Sequence, residues 1–150
     1  MNDSEPAAES SFRFIGFNLT RFEFVRAESL WQHMPLHSLE ISRSAYPHDQ
    51  QSIIVKVSVS IAWQKGGPFS LAIEGVGRFD YDRELDPQAL QRLTDFQAPA
   101  LVYTQLRPIA RLVAAEAGFP GFILPTVNFA QMAQSSSIDA ASKEPQSLPE

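Results

Sequence analysis

Ile53-Ile-Val55-Lys-Val57-Ser-Val59-Ser-Ile61-Ala-Trp63-Gln64 decides the fold class. Six apolar residues recur at every second position, and most of them are β-branched. A period of two with branched side chains is a strand with one face on a core. Gly66-Gly67-Pro68 follows as a turn, because glycine accepts positive φ and proline cannot continue a hydrogen-bond ladder. The period resumes at Phe69, Leu71 and Ile73 and runs on to Phe79 and Tyr81, with Gly75 and Gly77 on the same face. Two strands joined by so short a turn pair antiparallel.

Working upstream, Ser11 to Glu28 reads as a long extended segment whose apolar parity changes. Phe12 and Phe14 share a parity with Phe22 and Phe24, whereas Ile15, Phe17 and Leu19 occupy the other. A switch near Gly16–Thr20 predicts a β-bulge or a strand covered on both sides. Covering both sides needs a second subunit, so the parity predicts a dimer at least and a tetramer by packing of the long helix on its mate. Leu39 and Ile41 mark a shorter strand from His37 to Tyr46, ended by Pro47, and Ser29–Leu36 connects the two.

Downstream the pattern becomes helical. Asp86-Pro87 is a helix start, with aspartate as N-cap and proline in the first turn. Leu90, Leu93 and Phe96 follow at helical spacing. Pro99 predicts a break at 97–100, followed by a longer helix, bent at Pro108 and ending at Gly118. The fold class is therefore α+β: a four-stranded antiparallel sheet with a long C-terminal helix on one side. Residues 12–132 form the expected domain. Residues 1–11 and 133–150 are expected to be disordered arms, because the second, Ser-, Ala- and Pro-rich, has only Ile138 and Leu148 as large apolar residues.

Composition narrows the function. The 150 residues carry 12 Lys and Arg against 17 Asp and Glu, a formal charge of -5, which disfavours binding to phosphate backbones. There is no cysteine, so thiol catalysis, disulfides and zinc ribbons are excluded. With no basic-then-apolar leader and no long apolar run, the chain is expected in the cytoplasm.

Catalytic patterns are missing too. His33 and His37 are four apart but have Pro35 between them, and with His48 they read as loop histidines. Gly75-Val-Gly77 lies inside a strand and lacks the third glycine of a phosphate loop. Asp80, Asp82, Glu84 and Asp86 lack calcium-loop spacing and read as a solvated strand end and helix cap. The expectation is no enzyme, no metal and no cofactor.

Apolar residues do stand where loops are usually polar: Trp31, Met34 and Leu36 in the first connection, and Phe119, Phe122, Ile123, Leu124 and Phe129 after the long helix. Either these loops fold back and complete the core, or they line a groove for extended polypeptide.

Two stretches carry a family resemblance. Ala98-Pro-Ala-Leu-Val-Tyr-Thr-Gln-Leu-Arg107, then Phe119-Pro-Gly-Phe-Ile-Leu-Pro-Thr-Val-Asn-Phe129, resemble the bacterial SecB protein-export chaperones. Pro99, Arg107, Phe119, Pro120, Leu124, Val127, Asn128 and Phe129 match that pattern, while Ala98 and Thr104 replace its cysteine and proline. The resemblance implies an ATP-independent holdase, a dimer of dimers, that keeps unfolded clients soluble in apolar grooves. It also implies docking of the translocation motor SecA on the open sheet face, here at Arg21, Val25, Ser70, Ala72 and Glu74. Arg21, Val25 and Ala72 depart from the acids expected there. The alternative is a dedicated chaperone or adaptor for one partner, such as the antitoxin of a toxin–antitoxin pair, that does not dock the motor.

Overall fold

The computed structural model describes residues 11–27, 37–63 and 67–132. Four strands, β1 (Phe12–Arg26), β2 (His37–Asp49), β3 (Ser52–Trp63) and β4 (Phe69–Tyr81), form one antiparallel sheet in the order β1-β4-β3-β2. The two strands with the cleanest alternation are thus the central ones. Their inward residues, from Ile53 to Val59 on β3 and from Phe69 to Phe79 on β4, are almost fully buried.

The parity switch in β1 is resolved by two bulges. Ile15 and Thr20 have no partner on β4, so the register slips by one residue at each. Phe17 then lies opposite Gly77, Leu19 opposite Gly75 and Phe22 opposite Ile73. Directly opposed residues point to the same side of a sheet. Phe12, Phe14, Phe17, Leu19, Phe22 and Phe24 therefore share the core face, and the predicted second apolar face of β1 is not formed. Each inserted residue advances the side-chain alternation by one, and parity counted across a bulge misassigns everything beyond it.

Pro47 does not end β2. It pairs with Ile53, and β2 continues to Asp49. A proline fits there because β2 is an edge strand and one of its backbone sides needs no ladder partner. Gln51 N–H donates to the Asp49 carboxylate at 2.8 Å and closes the β2–β3 turn.

Nor does the helix break at 97–100. Asp86 caps α1 (Pro87–Arg92), accepting from the backbone of Gln88 at 2.7 Å and Ala89 at 3.2 Å. A π-helical turn, Leu93–Gln97, joins it to α2 (Ala98–Glu116), where Ala98 N–H reaches back five residues to the Leu93 carbonyl. The wider turn gives Pro99, which has no N–H and an obtrusive ring, a place in continuous helix. Pro108 lies inside α2, and Gly118, with φ of 98°, ends the helix just past its last turn.

The helix packs on β4, β3 and β1. Its close approach requires Gly77: a Cβ there would stand 2.8 Å from Val102 Cγ2 and 3.0 Å from the Phe14 ring. Gly75 makes the same room for Phe17 and Leu106. No helix among the described residues is long and apolar enough to cross a membrane.

Candidate functional site

The sheet has one covered and one open face, and the candidate surfaces divide between them. On the covered side, the chain after α2 returns across the helix toward β2. Two helix side chains hold its backbone: Arg107 Nε donates to the Leu124 carbonyl at 3.0 Å, and the Tyr103 hydroxyl donates to the Pro125 carbonyl at 2.5 Å. Burial raises the Tyr103 pKa above the usual phenol value, which keeps that donor protonated. The Tyr103 ring meets Phe129 edge-on at 5.7 Å, and Arg43 of β2 donates to the Phe129 carbonyl at 3.3 Å.

This clamp decides the fate of the apolar segment. Phe122, Leu124 and Phe129 are 2%, 0% and 2% exposed and belong to the core, where Phe122 packs edge-on against Phe69 at 5.1 Å. They do not line an open trough, as a groove reading of that segment expects. Phe119 is half-buried between Phe69 and the Arg26 guanidinium, and Ile123 is 49% exposed. Trp31, Met34 and Leu36 lie outside the described residues.

An apolar groove does form beside the clamp. Leu39 and Ile41 of β2 face Pro125, Val127 and Met132 across a depression of about 420 Å³. Further along the same edge strand, Ala45, Tyr46 and Pro47 border a second, smaller depression with Tyr81, Leu90 and Thr94. Leu39, Ile41 and Val127 are readable in sequence as strand and motif residues. Their convergence is not, since the segments stand more than eighty residues apart and meet only after the chain has doubled back over α2.

On the open face, the five positions expected to dock a motor come together. Arg21 lies opposite Glu74 and Val25 opposite Ser70, with Ala72, opposite Glu23, between them. The acids there are engaged. Glu74 accepts from the Thr20 hydroxyl at 2.8 Å and the Ser58 hydroxyl at 2.9 Å, and Lys56 Nζ stands 3.7 Å away. Those two hydroxyls, Thr20 first, hold the Glu74 pKa below the ordinary carboxylate value. Arg21 pairs with Glu23, and Arg78 with Asp80 at 3.2 Å. Arg21, Glu40, Ser42, Ser58, Ser60 and Glu74 border a shallow depression at the centre of the face. Sequence reading missed that it is hydroxyl-rich; the alternate serines of β2 and β3 carry that signal. Among the described residues no three His, Asp or Glu side chains converge to hold a metal ion.

The family model described as preprotein translocase subunit SecB matches residues 20–139. The chain belongs to the SecB family. No curated protein sequence matches it. Among solved structures, the fold is similar to that of a Mycobacterium tuberculosis SecB-like chaperone, solved in complex with a ChAD peptide from the HigA1 antitoxin. The TM-score is 0.64 at 17% identity, covering 78% of this chain and 91% of that one. The SecB motif residues have architectural roles here. Arg107, Leu124 and Phe129 tie the post-helix segment to α2 and β2, and so build one wall of the groove.

Proposed function

We propose that this SecB-family chain is an ATP-independent holdase that keeps extended polypeptide soluble along the apolar edge of β2. Family membership supports a chaperone role. The observation that carries the finer reading is the groove between Leu39, Ile41, Pro125, Val127 and Met132. It is apolar, open, and bounded by an edge strand whose backbone offers ladder hydrogen bonds to any extended chain. No nucleotide or other cofactor is required, and the chain works in the cytoplasm.

The second reading, a chaperone dedicated to one partner such as an antitoxin, is favoured by the open face. Among the described residues, Glu23, Glu74 and Asp80 are paired with Arg21, Lys56 and Arg78, which leaves Glu40 as the acid of the central depression without a basic partner, so the surface offers little of the uncompensated negative charge that would steer an export motor. The resemblance in fold to a chaperone solved with an antitoxin peptide is in keeping with this. Aggregation assays without ATP separate the two. A general holdase keeps several unrelated unfolded proteins soluble at stoichiometric ratios, whereas a dedicated chaperone protects one. Protection of none would overturn both.

Assembly belongs to the same proposal. Leu101 and Leu112 stand exposed on the outer side of α2, and Leu19 of β1 is 42% exposed on the covered face. A second copy covering them gives a dimer, and pairing of dimers a tetramer. Light scattering should return a multiple of the 16.7 kDa chain mass; the single-chain mass at micromolar concentration would overturn this.

A further inference from the structure

One charged side chain separates the two depressions beside β2. Arg43 lies opposite Val57 and Ala45 opposite Val55, both fully buried, so Leu39, Ile41, Arg43, Ala45 and Pro47 alternate along the covered face of the strand. Leu39 and Ile41 border the first depression, Ala45 and Pro47 the second, and Arg43 stands half-buried between them. All the residues bordering the two depressions are uncharged. Arg43 Nη1 donates to the Phe129 carbonyl at 3.3 Å, and among the described residues no carboxylate comes within ion-pair distance of it. A guanidinium carries several N–H donors, and this bond uses one. Among the described residues, too, no strand pairs with the outer side of β2.

We propose that Arg43 makes the β2 edge selective for extended client segments that carry Asp or Glu midway between two large apolar residues, each two positions from the acid. This rests on the holdase reading of the groove. The spacing follows from the ladder, because directly opposed residues of paired strands share a side of the sheet and alternate residues share a side of a strand. A client side chain opposite Ile41 is followed two residues on by one opposite Arg43, and two further on by one opposite Ala45. A carboxylate at the middle position can take two guanidinium N–H donors at once, and no internal ion pair has to break first. A client lysine there meets like charge between apolar walls. The formal charge of -5 repels acidic chains in general, so the preference is for an acid at one position and not for acidic clients as a class.

Labelled peptides of equal length test this on the full 150-residue protein. In each, two leucines flank a central glutamate, glutamine or lysine at two residues' distance. Fluorescence anisotropy should show the glutamate peptide binding about tenfold more tightly than the glutamine peptide, with lysine weakest. Moving the glutamate by one residue turns it to the other side of the strand and should abolish its advantage. Arg43→Glu should invert the order in favour of the lysine peptide, which a loosened Phe129 contact alone would not do. Arg43→Lys should keep the original order with a smaller gap, because the charge stays and the planar fork is lost. The peptide series on the unaltered chain decides the matter even where Arg43→Glu does not fold. Equal affinities for the three peptides, or an order unchanged by Arg43→Glu, would overturn the selectivity and leave the groove standing. Binding of none would overturn the groove reading and the selectivity with it.

Discussion

Arg107 reaches from α2 to the chain that follows it, its Nε donating to the Leu124 carbonyl at 3.0 Å. That bond crosses from helix to returning segment, seventeen residues along the chain, and Leu124 beneath it is fully buried. Arg107→Leu leaves the carbonyl without its charged donor. We expect a loss of about 1.5–3 kcal/mol in urea denaturation, the range for a hydrogen bond to a charged group. Arg107→Lys should recover only part, because an ammonium lacks the planar fork.

Gly77 lets the sheet and the helix approach closely. Gly77→Ala drives a methyl group into Val102, 2.8 Å away, and should cost about 1–3 kcal/mol by overpacking. Val102→Ala opens the opposing space, so the double variant should be less destabilised than the sum of the singles. Additive losses in the denaturation cycle would show that the contact is relaxed elsewhere.

Groove and core substitutions should separate cleanly. Phe122→Ser removes a buried aromatic and should lower stability by about 3–5 kcal/mol. Val127→Ser on the groove wall should weaken client binding by about tenfold, with a stability loss near 1 kcal/mol. Titration of a fluorescent unfolded client against each folded variant checks the difference.

Glu74 predicts an acid limb in stability. Its folded pKa lies below the unfolded value, so the stabilisation is present above the ordinary carboxylate range and is lost as pH falls through the folded value. Thermal midpoints should therefore fall as pH drops below about 4.5, the ordinary value. Ser58→Ala and Thr20→Val together remove the two hydroxyl donors and should flatten that limb. A limb as steep as in the parent would assign it to other carboxylates.

Motor docking can be tested by charge. With Arg21 and Ala72 on the open face, the unaltered chain should bind the SecA motor weakly at physiological salt. Arg21→Asp with Ala72→Glu frees Glu23 from its pair and adds uncompensated negative charge, and should strengthen binding in a salt-sensitive way. Tight binding by the unaltered chain in calorimetry would contradict this.

The sequence by itself determined the central strands, the Asp86 cap, the covering helix and the family motif, because period-two branched residues, capping chemistry and motif spacing are local signals. Pro47 and Pro99 could not be placed that way. A proline is tolerated where its missing N–H faces no partner, and only the sheet order and the π-helical turn supply such positions. The sidedness of β1 likewise depended on two bulges whose positions are set by pairing with β4. Tertiary structure also divided the apolar post-helix residues between core and groove. Phe122 and Ile123 are adjacent and both apolar, yet one packs on Phe69 and the other faces outward. What buries a side chain is the surface that arrives opposite it, and here that surface is brought by Arg107, Tyr103 and Arg43 gripping the backbone.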